Sequence, residues 1–129
     1  RDRSVSRGLG DVYKRQIRIS VKNRLEIKVM IKHVILWKLK DELGKEEKES
    51  VKKGIKEGLE GLAGQIPGLI DVHVNINGLE SSTADVMLDT TFESVDALKA
   101  YAVNPKHVAV ADGKVRPYTA IRSCLDYEV

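Results

Sequence analysis

The stretch MIKHVILWKLKDE, Met30 to Glu42, decides the fold because it alternates along its length. Every second residue from Ile31 to Leu39 lies on one predicted face, and this face carries His33 and Trp37 among aliphatic side chains. The intervening positions mix lysines with Val34 and Leu36. A period of two is typical of a β-strand, so the segment predicts a strand with both faces partly covered.

The segment after this strand has a helical period. Its apolar residues recur every three or four positions, which predicts one amphipathic helix ended by Pro67 and Gly68. Glycines within a helix each cost up to about 1 kcal/mol relative to alanine, so this helix must rely on packing. Its apolar positions are Val51, Ile55, Leu59, Leu62 and Ile66, and its glycines, whose spacing allows another backbone to approach closely, are Gly54, Gly58, Gly61 and Gly64.

The rest of the chain completes an α+β pattern. Residues 69–77 and 84–91 alternate and predict a hairpin, and Ser94 is a candidate N-cap for a helix interrupted by Pro105. Residues 108–111 suggest another helical turn, and residues 118–127 a last strand that includes Cys124 as a buried small residue. The order β-α-β-β-α-β predicts a ferredoxin-like, four-stranded antiparallel sheet with both helices on one face.

One face of that sheet has no helix to cover it. This face would carry the residues of each strand that point away from the helices, including apolar side chains of the first strand. Exposed apolar patches of this kind mark interfaces, so the simplest physical solution is a homodimer formed through the uncovered face.

The net charge of +3 and the pI near 9.0 invite a nucleic-acid hypothesis. Residues 1–29 hold nine basic and three acidic residues, whereas residues 30–129 hold 13 basic and 16 acidic residues, a balance of −3. Binding to phosphates needs clustered cations, and the main part of the chain lacks that excess. We therefore expect no nucleic-acid partner.

The apolar residues among the first 29 positions follow no sustained helical or strand period. The stretch RDRSVSRGLGDVYKRQ resembles translated adaptor sequence, and residues 17–29 read as translated upstream sequence. We expect residues 1–29 to be a non-native or disordered leader, Met30 to be the natural start, and residues 30–129 to form one domain.

Several function classes have no support in the sequence. The single cysteine excludes an internal disulfide and favours a reducing cytoplasm. No apolar run is long enough for a membrane span, so no membrane association is expected. The chain lacks a GxxxxGK phosphate loop and a GxSxG elbow, and no Cys, His or carboxylate group has metal-ligand spacing along the chain. We expect no metal and no cofactor.

Three segments resemble the stress-responsive dimeric α/β-barrel (Dabb) family. They are Met30 to Glu42, the run TFESVDALKAYAVNPKHVAVAD from Thr91 to Asp112, and RSCLDYEV from Arg122 to Val129. The resemblance covers essentially all of residues 30–129. It implies a homodimer in which the two ferredoxin-like sheets pair to form a dimeric α/β barrel.

The resemblance also suggests site residues. In olivetolic acid cyclase, a distantly similar family member that closes a polyketide by an aldol reaction, the proposed catalytic groups are the Tyr and second His of a Y-x-x-H-P-x-H pattern. This chain has Tyr101 and His107 at those positions, but Asn104 replaces the first His. Asp85 replaces a histidine on the third strand, so the cyclase is not a guide to the substrate.

The resemblance makes Tyr101 and His107 candidate catalytic residues and places His33 toward the pocket, where we add Ile35 and Trp37 from the same strand face. A neutral His107 could accept a proton next to a carbonyl while Tyr101 stabilises the enolate oxygen. The alternative is structural: His107 braces a loop and Tyr101 packs in the core. His33 is more readily explained as a core or pocket histidine than as a metal ligand.

Three functions follow. The first is binding of a small organic molecule in an apolar pocket of each protomer. The second is a cofactor-independent cyclase, isomerase or other lyase with His107 and Tyr101 as an acid-base pair. The third is a non-catalytic, stress-protective dimer. A cavity of several hundred cubic ångströms that reaches His107 favours the first two, and a filled interior favours the third.

Overall fold

The computed structural model describes residues 29–129 and contains a four-stranded antiparallel sheet. The elements in chain order are β1 (Ile31–Leu39), α1 (Lys45–Glu60), β2 (Leu69–Asn75), β3 (Val86–Phe92), α2 (Val95–Val103), α3 (Pro105–Val110), a π-helical segment (Ala111–Val115), a 3₁₀ turn (Arg116–Tyr118) and β4 (Thr119–Glu128). The sheet order β2-β3-β1-β4 is ferredoxin-like, as the sequence predicted. The leader prediction concerns residues that lie, apart from Val29, outside this range.

The predicted alternation of β1 is confirmed. Its odd-numbered residues from Ile31 to Leu39 are all buried, whereas Leu36 on the other face is exposed. The buried face packs with Val51, Ile55 and Leu59 of α1 in one hydrophobic core. Strand β1 lies between β3 and β4, so its side chains form the centre of the inner face of the sheet.

Helix α1 ends earlier than the sequence predicted. It stops at Glu60 rather than at Pro67, with Gly61 as its C-cap, although Leu62 and Ile66 remain buried in the core. Gly64 has φ +76°, a backbone conformation that only glycine adopts readily, and this breaks the helical path. Leu62 and Ile66 therefore continue the apolar period of α1 through a turn that is not helical.

Strand β2 begins with an irregularity that the alternation did not reveal. Leu69 pairs with Phe92 while Asp71 pairs with Thr91, so Ile70 is an extra residue. Such a bulge turns a side chain out of the regular pattern, and Ile70 is half exposed instead of buried. The strand also stops at Asn75, two residues before the predicted end, but the predicted hairpin pairing of β2 with β3 is correct.

The second helical region is divided at Pro105 as predicted. The Ser94 hydroxyl caps α2 by accepting a hydrogen bond from the Ala97 amide, which confirms the predicted N-cap. Asn104 Oδ1 accepts a hydrogen bond from the Lys106 amide and caps α3, with Pro105 as the first helical residue. The replacement of a histidine by Asn104 thus has a local structural role.

Strand β4 is an edge strand and pairs only with β1 among residues 29–129. None of the three helices lies against its inner face closely enough to bury it, so nearly all of its residues are exposed. Cys124 is therefore exposed, and the prediction of a buried cysteine was wrong. The inner face of β4 forms one wall of a large cavity.

Candidate ligand site

A cavity of about 670 Å³ lies between the inner face of β1 and β4 and the helices that follow β3. Its lining contains every residue proposed from the sequence as catalytic or pocket-forming: His33, Ile35, Trp37, Tyr101 and His107. Leucine, valine and isoleucine side chains from the sheet and helices supply much of the remaining wall. The volume falls within the range of about 300–1,000 Å³ found for small-molecule sites.

Tyr101 is one of the residues that line this cavity. Helix α2 places its ring in the core, where it is 1% exposed and packs edge-on against Phe92 with 4.9 Å between ring centroids. The phenolic oxygen is buried and has no hydrogen-bond partner within residues 29–129. Burial raises the pKa of Tyr101 to about 12, so the hydroxyl remains protonated at neutral pH and acts as a donor.

His107 lies on the first turn of α3 and stacks on Tyr101. The two ring centroids are 4.1 Å apart and the ring planes are inclined by 34°. Its Nδ1 is buried and lacks a hydrogen-bond partner in the same part of the chain. Burial lowers the pKa of His107; the positive charges of Arg116 and Arg122 lower it further, while a hydrogen bond with the Ala102 carbonyl partly raises it. The imidazole is therefore neutral at pH 7 and can accept a proton.

His33 connects the aromatic cluster with β4. Its ring lies 6.2 Å from the rings of both Phe92 and Tyr101, between centroids, and only 8% of the residue is exposed. His33 Nδ1 is 2.5 Å from Asp126 Oδ1. The Asp126 carboxylate fixes the orientation of the His33 imidazole, as carboxylates do for functional histidines in other proteins.

Cys124 and Asp126 are site residues that the sequence reasoning missed. Both line the cavity, and the Cys124 sulfur lies 3.4 Å from Asp126 Oδ1 and 3.8 Å from His33 Nδ1. Burial and the neighbouring Asp126 raise the pKa of the Cys124 thiol. Cys124 and Asp126 are two residues apart on β4, so the sequence indicates that they share a strand face. The sequence does not indicate which strand pairs with β4.

The lining of the cavity carries three cationic side chains as well as the acidic residues Asp126 and Glu128. The cationic residues are Lys99 of α2, Arg116 of the 3₁₀ turn and Arg122 of β4, and Arg116 also pairs with Asp112. Guanidinium groups bind carboxylates in a two-pronged geometry, so the two arginines suit a ligand with an anionic group.

Other candidates lie away from the cavity. His73 pairs with Asp71 at 2.9 Å on the outer face of β2, and its side chain is 64% exposed. Asp85 accepts a hydrogen bond from the Leu39 amide at 2.8 Å and does not line the cavity. Asp85 therefore joins β1 to the residue before β3.

A search of curated proteins finds no significant match. Among solved structures, a dimeric protein of unknown function with a ferredoxin-like fold from Bacteroides fragilis is 34% identical, with TM-score 0.73 and coverage of 78% of this chain and 96% of that chain. A Dabb family protein from Mesorhizobium loti is 18% identical, with TM-score 0.60 and coverage of 78% and 96%.

The same fold occurs in an enzyme. The hydroxynitrile lyase of Passiflora edulis is 13% identical, with TM-score 0.59 and coverage of 78% of this chain and 93% of that chain. The family model of the Stress responsive A/B Barrel Domain (Dabb) matches residues 31–129. This match spans all four strands and every helix of the structure. The chain therefore belongs to the stress-responsive A/B barrel (Dabb) family.

Proposed function

We propose that this protein binds a small organic molecule in the cavity between its sheet and the helices after β3. The observation that carries the proposal is a cavity of about 670 Å³ with largely apolar walls, lined by Tyr101 and His107, whose Oη and Nδ1 atoms are buried without a hydrogen-bond partner within residues 29–129. Ligand sites combine apolar surface with a few polar groups that fix orientation. A filled interior would have favoured the third function, a non-catalytic, stress-protective dimer, and this cavity does not give it that support.

The chemistry of the walls defines the ligand. The apolar surface around Trp37 and Leu98 suits an aliphatic or aromatic body, and the Tyr101 hydroxyl suits a carbonyl oxygen. The two arginines of the lining favour a carboxylate on the ligand. We therefore infer an aryl or alkyl β-keto acid, or a molecule of similar shape and polarity.

The only tryptophan of the chain supplies the binding assay. Because Trp37 lines the cavity, aromatic β-keto acids that bind there are expected to change its fluorescence. Tyr101→Phe is expected to weaken the fluorescence response, while Tyr118→Phe, a tyrosine outside the lining, leaves it unchanged. Saturable binding that both variants retain at full affinity would contradict this orientation of the ligand.

A second function is proton transfer at the carbon next to a carbonyl. Its support is the pairing of a neutral His107, whose pKa is lowered, with a Tyr101 hydroxyl whose pKa is about 12. His107 removes the proton and Tyr101 donates a hydrogen bond to the enolate oxygen. In an isomerisation the proton returns to carbon. In a cyclisation the enolate carbon attacks a second carbonyl of the same molecule, the C=O π bond of that carbonyl opens, and its oxygen takes the proton from His107. No cofactor is needed for either step.

Deuterium exchange tests this chemistry directly. In D₂O the protein is expected to accelerate loss of the NMR signal of the α-proton of a 2-alkyl β-keto ester, a class with a single α-proton. His107→Ala is expected to abolish the acceleration, and His73→Gln, which removes an exposed histidine, is expected to preserve it. Equal exchange with His107→Ala would exclude His107 from the reaction.

We also infer a cytoplasmic homodimer. The outer face of the sheet, defined here by Val34 and Leu36 of β1 and Ile121, Leu125 and Tyr127 of β4, presents apolar side chains without a covering helix, and the similar Bacteroides fragilis protein is dimeric. An exposed, unpaired Cys124 fits a reducing compartment. No helix within residues 29–129 has the length and apolar character needed to cross a membrane.

A further inference from the structure

Three side chains with metal-binding atoms meet on the inner face of β1 and β4. The antiparallel register places His33 opposite Asp126 and Ile35 opposite Cys124. Cys124 and Asp126 are two residues apart and therefore point to the same side of β4, the side of the cavity. His33 Nδ1, Cys124 Sγ and a carboxylate oxygen of Asp126 all lie within 4.8 Å of one another.

The distances fit a tetrahedral ion with little movement. Bonds of about 2.0–2.3 Å from zinc to nitrogen, oxygen and sulfur place neighbouring ligand atoms about 3.4–3.6 Å apart at the tetrahedral angle. The sulfur lies 3.4 Å from the Asp126 oxygen and 3.8 Å from the His33 nitrogen, close to those values. Only the His33–Asp126 contact, at 2.5 Å, must open, and the Asp126 side chain is 44% exposed.

We propose that His33, Cys124 and Asp126 form a site for one Zn²⁺ ion per chain. The thiolate and imidazole favour a borderline or soft ion over Mg²⁺ or Ca²⁺, which prefer sets of oxygen ligands. Three protein ligands leave a fourth position open, and all three residues line the cavity, so that position is accessible from it. Metal binding replaces the His33–Asp126 hydrogen bond with two coordination bonds: the imidazole is bound as the tautomer that carries its proton on Nε2, the carboxylate is bound ionised, and the Cys124 thiol releases its proton to water.

The site does not depend on the proposed organic ligand, because metal binding is measured with the ion alone. The chain has only three histidines and one cysteine, and His73 and His107 lie outside the cluster. Each ligand can thus be removed individually. Cys124 and Asp126 are exposed, so Cys124→Ser and Asp126→Asn are compatible with the fold.

The experiment is Zn²⁺ titration of the full, untagged chain by calorimetry, followed by Co²⁺ substitution. We expect one ion per chain and, with Co²⁺, a thiolate-to-cobalt charge-transfer band in the near ultraviolet. Because loss of an outer-shell partner alone weakens metal affinity by about 10–100-fold, loss of a direct ligand in Cys124→Ser or Asp126→Asn should weaken it at least ~100-fold.

His73→Gln is the matched control, since it disrupts the exposed pair of His73 with Asp71 and leaves the cluster intact. It is expected to bind Zn²⁺ like the unmodified protein. The proposal is overturned if no stoichiometric ion binds, if the Co²⁺ complex lacks the charge-transfer band, or if Cys124→Ser and Cys124→Ala both bind with unchanged affinity. Failure of ligand binding at Trp37 would leave these three results unaffected.

Discussion

The imidazole of His107 stacks on the phenol ring of Tyr101 with 4.1 Å between centroids, and the buried polar atoms Nδ1 and Oη both lack a hydrogen-bond partner within residues 29–129. A buried polar atom without a partner costs about 1–3 kcal/mol, so two adjacent ones are unusual in a purely structural core. Both residues line the cavity, where the ligand that we propose would offset this cost.

This relationship predicts opposite effects of Tyr101→Phe on stability and on binding. Removal of an unpartnered buried hydroxyl, without a change of ring shape, should leave the free energy of unfolding unchanged or raise it by up to about 1 kcal/mol. Binding of a β-keto acid should weaken. Urea denaturation and Trp37 fluorescence measure the two effects, and a stability loss above about 1 kcal/mol would show that the hydroxyl has a structural partner.

The second prediction concerns acid stability. Burial lowers the folded-state pKa of His107 below its unfolded value of about 6.5. The contribution of His107 to the free energy of unfolding is therefore fully present above pH 6.5 and is lost as the pH falls below that value. The melting temperature of the protein should therefore fall less steeply below pH 6.5 in His107→Gln. The nearby charges that lower this pKa come from Arg116, Arg122 and His33.

Nuclear magnetic resonance checks the same prediction at the residue. The ring protons of His107 should titrate with a midpoint below 6.5, and the assignment follows from the signal lost in His107→Gln. A midpoint above 6.5 would mean that the imidazole gains a stabilising anionic neighbour on folding, and the stability dependence would then reverse its sign.

The third prediction compares the effect of an alanine substitution on stability at two glycines of α1. At Gly58 an added Cβ would lie 2.9 Å from Val110 Cγ1, whereas at Gly54 it would meet only Lys114 Cδ at an ordinary 3.8 Å. Gly54→Ala should stabilise the protein by up to about 1 kcal/mol through helix propensity. Gly58→Ala should destabilise it by about 1–3 kcal/mol through overpacking.

Denaturation of both variants, and of the double variant Gly58→Ala/Val110→Ala, provides the test. The double variant should be more stable than Gly58→Ala alone because the contact with the branched side chain is removed. Equal stability of Gly54→Ala and Gly58→Ala would show that α3 does not approach α1 closely at Val110.

The fourth prediction tests the outer face. Leu125, opposite Val34 on the pair of β4 with β1, is 64% exposed. Leu125→Asp should dissociate the proposed homodimer, because it would place a charge in the apolar interface that we infer. Sedimentation at micromolar concentration should show the monomer mass for Leu125→Asp and the dimer mass for Leu79→Asp, a control in the loop between β2 and β3 where the leucine is 79% exposed. A monomeric unmodified protein would contradict the proposal.

Local patterns predicted much of the fold. The alternation of β1, the N-cap at Ser94 and the break at Pro105 all depend on neighbouring residues, and each is found where it was predicted. The errors came from features that a period does not contain. The bulge at Ile70 depends on pairing with β3, and the end of α1 depends on the backbone at Gly61 and Gly64.

The sequence by itself determined which residues of β1 share a face, because alternation is a property of the extended chain. It also made His33, Tyr101 and His107 candidates for the same pocket. Only the tertiary structure decided that His33 meets Cys124 and Asp126, which are 91 and 93 residues away. That meeting depends on the register of β1 against β4, and register is set by the packing of the whole sheet.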